Sequence, residues 1–179
     1  QTQLQSVFSI NAIALVDGQP KLLNLKEMIE AFVEFRKEVV TRRTLYLLRR
    51  ARQRAHILEG QAVALANIDE VISLIKSSPS AKEAREALVG RTWVAKDLQK
   101  LLEEIGLDSS RPAGLGEEYG FQEDEYQLTE EQAQAILEMR LHRLTSLEQN
   151  KLIEDYRAIV DEIRDLMDIL GSADRLKSV

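Results

Sequence analysis

The chain is 179 residues long, 44% apolar, 30% charged and only 5% aromatic, with a net charge of −6, eight Gly, three Pro and no Cys. That is enough for one ordinary domain, or for a small domain joined to an extended element, and the composition favours long helices over a sheet-rich sandwich. It excludes disulfides, thiolate metal sites and a cysteine nucleophile, offers no run near the ~20 apolar residues of a membrane span, and does not begin like a signal peptide.

The chain starts at Gln1 rather than Met, inside what reads as a strand, and is expected to be a piece of something larger. Residues 7–23 read as two short strands around Asp17-Gly18, because Asp-Gly between apolar runs is a strong signal for a two-residue hairpin. No other β element is clear. Asn24 with Glu27 gives an N-cap and capping box for a helix starting at Leu25. No proline interrupts from there to Ser77, and Gly60 is the one glycine, so one helix, or two in series, fills the span.

Within that span Leu48, Ala51, Ala55, Leu58, Ala62 and Leu65 recur in steps of three and four, the stripe of a helix that lies against another. Leu152, Tyr156, Ile159, Ile163, Leu166 and Leu170 repeat the pattern near the other end of the chain. The first stripe alternates Ala with Leu and the second carries only large side chains, so the two can interdigitate closely. Residues 36–66 and 147–170 are therefore expected to form an antiparallel stalk, ~40 Å long at the rise of an α-helix.

The intervening residues carry their own punctuation. Pro79-Ser80 with Glu83 begins one short helix, Val94 to Ile105 reads as a second, and Thr129 with Gln132 caps a third running to Leu141. Between the last two lies an acidic loop rich in Gly and Pro. Gly171 stops the second stalk helix, after which a short helix restarts. The expected fold is mainly α: residues 1–24 a β-hairpin from the end of a preceding domain, 25–66 the first helical segment and stalk helix, 67–146 a helical knob with acidic loop 106–127, and 147–179 the second stalk helix and terminal short helix.

Charge is segregated along this plan. Arg36 to Arg54 holds eight Lys or Arg and one acid, a net +7, whereas Glu103 to Glu131 holds ten acids and one base, and Ser146 to Leu170 seven acids and three bases. Because exposed charges are screened beyond about 10 Å at ordinary salt, the basic segment acts locally despite the acidic total. Two readings stand side by side. The cations pair with one another's acids and with the acidic partner helix, or the outward ones attract phosphate without reading sequence, since no stacking aromatics interleave them. Arg42, Arg43, Arg49 and Arg50 are the candidates to face DNA, being adjacent pairs off the Leu48-Ala51-Ala55 stripe.

Other candidates have blander readings. Tyr46 sits among arginines but has no base near it in sequence, so it is expected to pack on the stalk flank, and Tyr119, Tyr126 and Tyr156 read the same way. His56 and His142 stand beside no other ligand at metal-type spacing, and the acids Glu117-Glu118 and Glu123-Asp124-Glu125 read as solvated. No catalytic residue, metal site or cofactor is therefore assigned to this stretch. Ala133, Ile136, Leu137, Met139, Leu141 and Leu144, with Arg140 and His142 among them, are too many to face one small core, and an exposed apolar patch with Met and Arg is a usual protein interface.

The strings VDGQPKLLNL (from Val16), RKEVVTRRT (from Arg36), RARQRAHILEGQAVALANIDEVI (from Arg50), LTEEQAQAILEMRLHRLTSLE (from Leu128) and ILGSADRL (from Ile169) together closely resemble the A subunits of bacterial DNA gyrase, in order and over almost the whole chain. The topoisomerase IV counterpart shares the HILEG and NIDEVI themes, with a shorter knob. The resemblance implies a cytoplasmic, chromosome-associated type IIA topoisomerase, an ATP-driven isomerase that cuts one duplex, passes a second and releases it through a protein exit gate. This segment resembles that gate. The strand-cleaving tyrosine is then expected upstream, a DNA-wrapping domain downstream, and the ATP and Mg sites on the gyrase B subunit. The implied partners are a second copy through a twofold contact at Ala133, Ile136, Leu137, Met139, Arg140, Leu141, His142 and Leu144, then the B subunit, and double-stranded DNA without sequence preference, with no membrane. A structural coiled-coil dimerisation hinge without an enzyme role is the competing reading, weakened by the short stalk and by the hairpin leading directly into it. A basic helical hairpin that binds RNA is a third, which the acidic knob and partner helix oppose.

Overall fold

The computed structural model of the chain describes residues 4, 11–105, 110–122, 125–140 and 146–178. Strands β1 (Ala12–Val16) and β2 (Gln19–Leu23) pair antiparallel, with Val16 opposite Gln19. Asp17 and Gly18 make the turn at φ 54 and 75, the left-handed pair that a tight hairpin needs and that Asp-Gly tolerates. Helix α1 (Leu25–Ala66) follows, its capping box closed by Asn24 and Glu27. At 42 residues it is about 63 Å long.

α1 ends because Asn67 competes for its backbone. The Asn67 side chain donates to Val63 O at 2.9 Å and to Val94 O at 2.8 Å, doubling the bond that its own N–H makes to Val63 O and tying the helix end to the knob. Helix α2 (Ile68–Ser77) continues beyond this break, so the span holds two helices in series.

Helix α3 (Ala81–Val89), capped by Ser80 accepting from Glu83 N–H, precedes β3 (Thr92–Val94) and α4 (Lys96–Ile105). Strands β4 (Gly120–Gln122) and β5 (Glu125–Gln127) then join β3 in an antiparallel sheet of order β3-β5-β4. Helix α5 (Glu130–Leu137) starts from a Thr129–Gln132 capping box. Its last turn tightens, with Met139 N–H bonding Ile136 O at 3.1 Å, so it stops short of Leu141, which lies outside the described residues. Helices α6 (Ser146–Gly171) and α7 (Ala173–Ser178) complete the chain.

α1 and α6 form the stalk, and they run antiparallel: Arg52 meets Met167, Glu59 meets Tyr156, and Leu65 shares a groove with Leu152. Every member of the first stripe, Leu48, Ala51, Ala55, Leu58, Ala62 and Leu65, is buried in one cluster with Leu152, Tyr156, Ile159, Val160, Ile163 and Leu166. Small residues on α1 receive large ones from α6, as facing layers at native density require. Before Val40 no residue of α1 is buried, so its first turns project with the hairpin beyond the partner helix.

The opposite face of α1's last turns, Val63 and Ala64, opens the knob core, where Val71, Leu88, Trp93, Tyr126, Leu128, Ala133 and Ile136 gather. Trp93 is buried and donates its Nε1–H to Leu88 O at 3.0 Å. Phe121 meets Tyr126 edge-on with centroids 4.6 Å apart. The three-stranded sheet is not expected from sequence. Each strand has three residues, less than two full periods of alternation, and β4 and β5 lie in the acidic stretch that reads as loop. Tertiary packing of one aromatic from each of β3 and β5 defines them instead. Among the described residues no helix is long and apolar enough to cross a membrane.

Candidate functional site

The basic run lies on α1 where the stalk begins. Residues 42 and 49, and 43 and 50, are each seven apart, two helical turns, so the four arginines form two rows. All four are exposed, on the side away from buried Thr44, Leu48 and Ala51. Arg42 pairs with Glu38 one turn back. The Arg50 guanidinium stands 5.9 Å from the centroid of the Tyr46 ring. Tyr46 is thus exposed under an arginine rather than packed on the stalk flank. Among the described residues Arg43 and Arg49 have no acid within ion-pair distance. The ion pairs formed by Lys37 and Arg42 go to Glu34 and Glu38 of α1 itself, while Asp165 and Asp168 of α6 are taken by Arg175 of α7.

At the other end of the stalk, α1 is buried on all sides from Leu58 to Leu65, and Glu59 lies inside. Tyr126 of β5 donates its hydroxyl to Glu59 Oε2 at 3.1 Å, and Tyr156 of α6 donates to Oε1 at 3.2 Å. Ser110 Oγ is 2.9 Å from the Tyr156 hydroxyl and 3.4 Å from Oε1. Gln132 of α5 joins them: its Nε2 donates to His56 O at 2.7 Å and to the Tyr126 hydroxyl at 2.6 Å, and its Oε1 accepts from Thr129 N–H at 3.0 Å. His56 Nε2 is 3.0 Å from Thr129 Oγ1. Among the described residues no buried side-chain polar atom lacks a partner.

Burial pushes the Glu59 carboxyl up to about 7, against the opposing pull of three hydroxyl donors and Arg111. Burial, with the Arg111 charge, lowers His56 to about 4. The Tyr126 and Tyr156 hydroxyls are raised, first by burial and then by the Glu59 charge. The 3.9 Å approach of His56 Nδ1 to Glu59 is therefore no ion pair. Nδ1 also lies 3.2 Å from Gln132 Nε2, a nitrogen that cannot accept, so a proton on Nδ1 would have no acceptor there and the ring proton belongs on Nε2. Sequence reasoning reads Tyr126 and Tyr156 as packing residues and misses this cluster; the capping box at Thr129–Gln132 is the one signal close to it.

The residues expected to form a dimer contact divide. Ala133 and Ile136 are 0% and 5% exposed and pack in this chain's own knob core, beside the strands β3 and β5 that the sequence did not announce. Leu137 and Met139 are half-buried and Arg140 is exposed. Leu141, His142 and Leu144 lie outside the described residues. Among the described residues no three His, Asp or Glu side chains converge as a metal site.

At the hairpin, the exposed side chains Leu15, Phe32 and Phe35 line a groove of about 590 Å³, and Ile13, Leu22 and Leu25 are exposed as well.

The described residues thus make a two-helix stalk with a packed knob at one end and a basic outward face along it. The family model for the A subunits of DNA gyrase and topoisomerase IV matches residues 1–179, and the chain belongs to that family. It is 57% identical over 179 residues to the DNA gyrase A subunit of Pseudomonas aeruginosa, covering all of this chain and 19% of that protein. It is 53% identical to that of Salmonella typhimurium over 100% of the chain and 20% of the relative, and 48% identical to that of Neisseria gonorrhoeae over 99% and 20%. The chain thus spans about a fifth of the length of these curated relatives.

Proposed function

We propose that this chain is the exit-gate segment of a DNA gyrase A subunit, which holds two copies together through the knob and parts to release the transported duplex during ATP-dependent negative supercoiling. The observation that carries the reading is the geometry of the stalk: a packed knob at one end, and at the other a row of arginines turned away from the partner helix. Such a face attracts the backbone of any duplex in the space between two stalks, by charge and without reading bases. Strand cleavage belongs to other parts of the protein, and ATP with its Mg to the B subunit. The twofold contact falls on the knob surface that includes Leu137, Met139 and Arg140, isologous as in most homodimers.

The test uses the absence of cysteine from these 179 residues. Arg140→Cys, introduced into a full-length A subunit with no other reactive thiol, should crosslink two copies across the knob. The crosslinked enzyme with its B subunit should cleave DNA yet stop before net supercoiling. Continued supercoiling through a fully crosslinked knob rules out a gate at this position. The 179-residue chain alone should sediment as a dimer without ATPase or cleavage activity; a monomer at micromolar concentration, with activity retained in the full enzyme, places the dimer contact elsewhere.

A further inference from the structure

The gate reading gives no task to Glu59, the one buried acid among the described residues. Glu59 is reached from every element of the joint between knob and stalk: His56 on its own helix, Tyr126 on β5, Tyr156 on α6, Ser110, and Gln132 of α5 through Tyr126. Across a cavity of about 290 Å³ that Glu59 helps to line stand Gln99, Glu103 and Arg111. The Arg111 guanidinium is engaged with the Gly116 and Tyr119 carbonyls at 2.8 and 3.2 Å. Among the described residues no Lys or Arg lies within ion-pair distance of Glu59. A buried carboxylate in that position takes up a proton rather than remain an uncompensated charge.

The hydrogen bonds say where the proton goes. The Tyr126 hydroxyl accepts from Gln132 and donates its one hydrogen to Glu59 Oε2. Oε1 instead faces the hydroxyls of Tyr156 and Ser110, 2.9 Å from each other, either of which can turn to accept. The His56 ring has the Gln132 amide nitrogen at Nδ1 and the Thr129 hydroxyl at Nε2, contacts that offer an acceptor to one ring proton only, the one on Nε2.

We propose that seating the knob on the stalk moves one proton from His56 to Glu59, leaving the buried joint neutral with its proton on Glu59 Oε1. In the open chain at mildly acidic pH the imidazole is charged and the carboxyl ionised; in the seated joint both are neutral, so the proton count does not change. Burial acts on both in the required sense, raising Glu59 from 4.5 to about 7 and lowering His56 from 6.5 to about 4. Glu59 favours the seated form most below pH 4.5 and loses that contribution as pH rises through about 7. His56 contributes fully above 6.5 and loses it as pH falls through about 4. Between 4.5 and 6.5 the two slopes cancel, so the joint is buffered against pH.

The test compares the unfolding equilibrium constants of the chain and of two variants, from urea titrations followed by the fluorescence of Trp93, the single tryptophan, between pH 4.5 and 6.5. Relative to the unmodified chain, the constant for Glu59→Gln should fall about tenfold per unit of rising pH, and that for His56→Gln should rise about tenfold per unit. Variant curves that stay parallel to the parent overturn the proposal. If either variant does not fold, ring-nitrogen chemical shifts of His56 in the unmodified chain decide: a neutral Nε2–H ring at about pH 5, between its buried and ordinary pKa, is the expected result, and an imidazolium there overturns it.

Discussion

Gln132 lies so close over Gly60 that a Cβ added to the glycine would stand 2.7 Å from the Cβ and Cγ of Gln132. The glycine is the opening in α1 through which α5 inserts its one fully buried amide into the stalk junction. Gly60→Val should displace that amide, because a β-branched side chain in a helix has one favoured rotamer and cannot turn aside. The Tyr126 hydroxyl, the His56 carbonyl and the Thr129 N–H would each lose a partner, at about 1 to 3 kcal/mol apiece. Gly60→Ala meets the same 2.7 Å contact at its Cβ but adds no further atoms and recovers about 1 kcal/mol of helix propensity, so it should cost less than valine. Urea unfolding of the two variants measures this, and a valine variant as stable as the parent would show that Gln132 is not held at this spot.

Ile136 and Arg140 occupy neighbouring turns with opposite surroundings, the first in the knob core and the second exposed. Ile136→Glu should therefore unfold the knob by burying an unpaired carboxylate, seen as loss of the buried-Trp93 emission. Arg140→Glu should leave that emission intact and weaken only self-association. Sedimentation read beside fluorescence separates the two, and a folded, dissociated Ile136→Glu chain would return that residue to the interface.

The arginine rows give an electrostatic prediction. Replacing Arg42, Arg43, Arg49 and Arg50 together by Gln should lower non-specific duplex affinity and flatten its salt dependence, by roughly 0.9 in the logarithmic slope for each phosphate no longer neutralised. Among the described residues only Arg42 of the four forms an ion pair, and an exposed pair contributes about 0.2 to 1 kcal/mol, so thermal stability should hardly move. Unchanged affinity with a large drop in melting temperature would assign these side chains to the stalk itself.

Within the stalk, Ile163 is fully buried against the α1 stripe. Ile163→Ala should cost about 2 to 5 kcal/mol, the lost transfer energy plus the cavity left behind. Arg157→Ala, exposed on the same helix, should fall within about 0.5 kcal/mol of the parent. Equal stability of the two would mean that α1 and α6 do not pack along this seam.

Local chemistry makes much of the fold legible. Asp17-Gly18, the Asn24–Glu27 and Thr129–Gln132 boxes and the Ser80 cap each act within four residues, so they can be read from order alone, and each forms as expected. The stalk stripes are legible for a related reason: a heptad pattern repeats one face often enough to name its partner before any packing is seen. The sheet β3-β5-β4 is not, because its strands are three residues long and β3 is far from the others in sequence, and only the closing of the knob around Trp93 and Tyr126 brings them together. The same closing decides which side of α5 is core, and so removes Ala133 and Ile136 from the surface. It also makes the Glu59 cluster, in which Glu59 and Tyr156 sit 97 residues apart. Sequence supplies the residue types that could hold a proton, but their burial and hydrogen-bond partners, which set where the proton resides, exist only once the tertiary structure has removed the water.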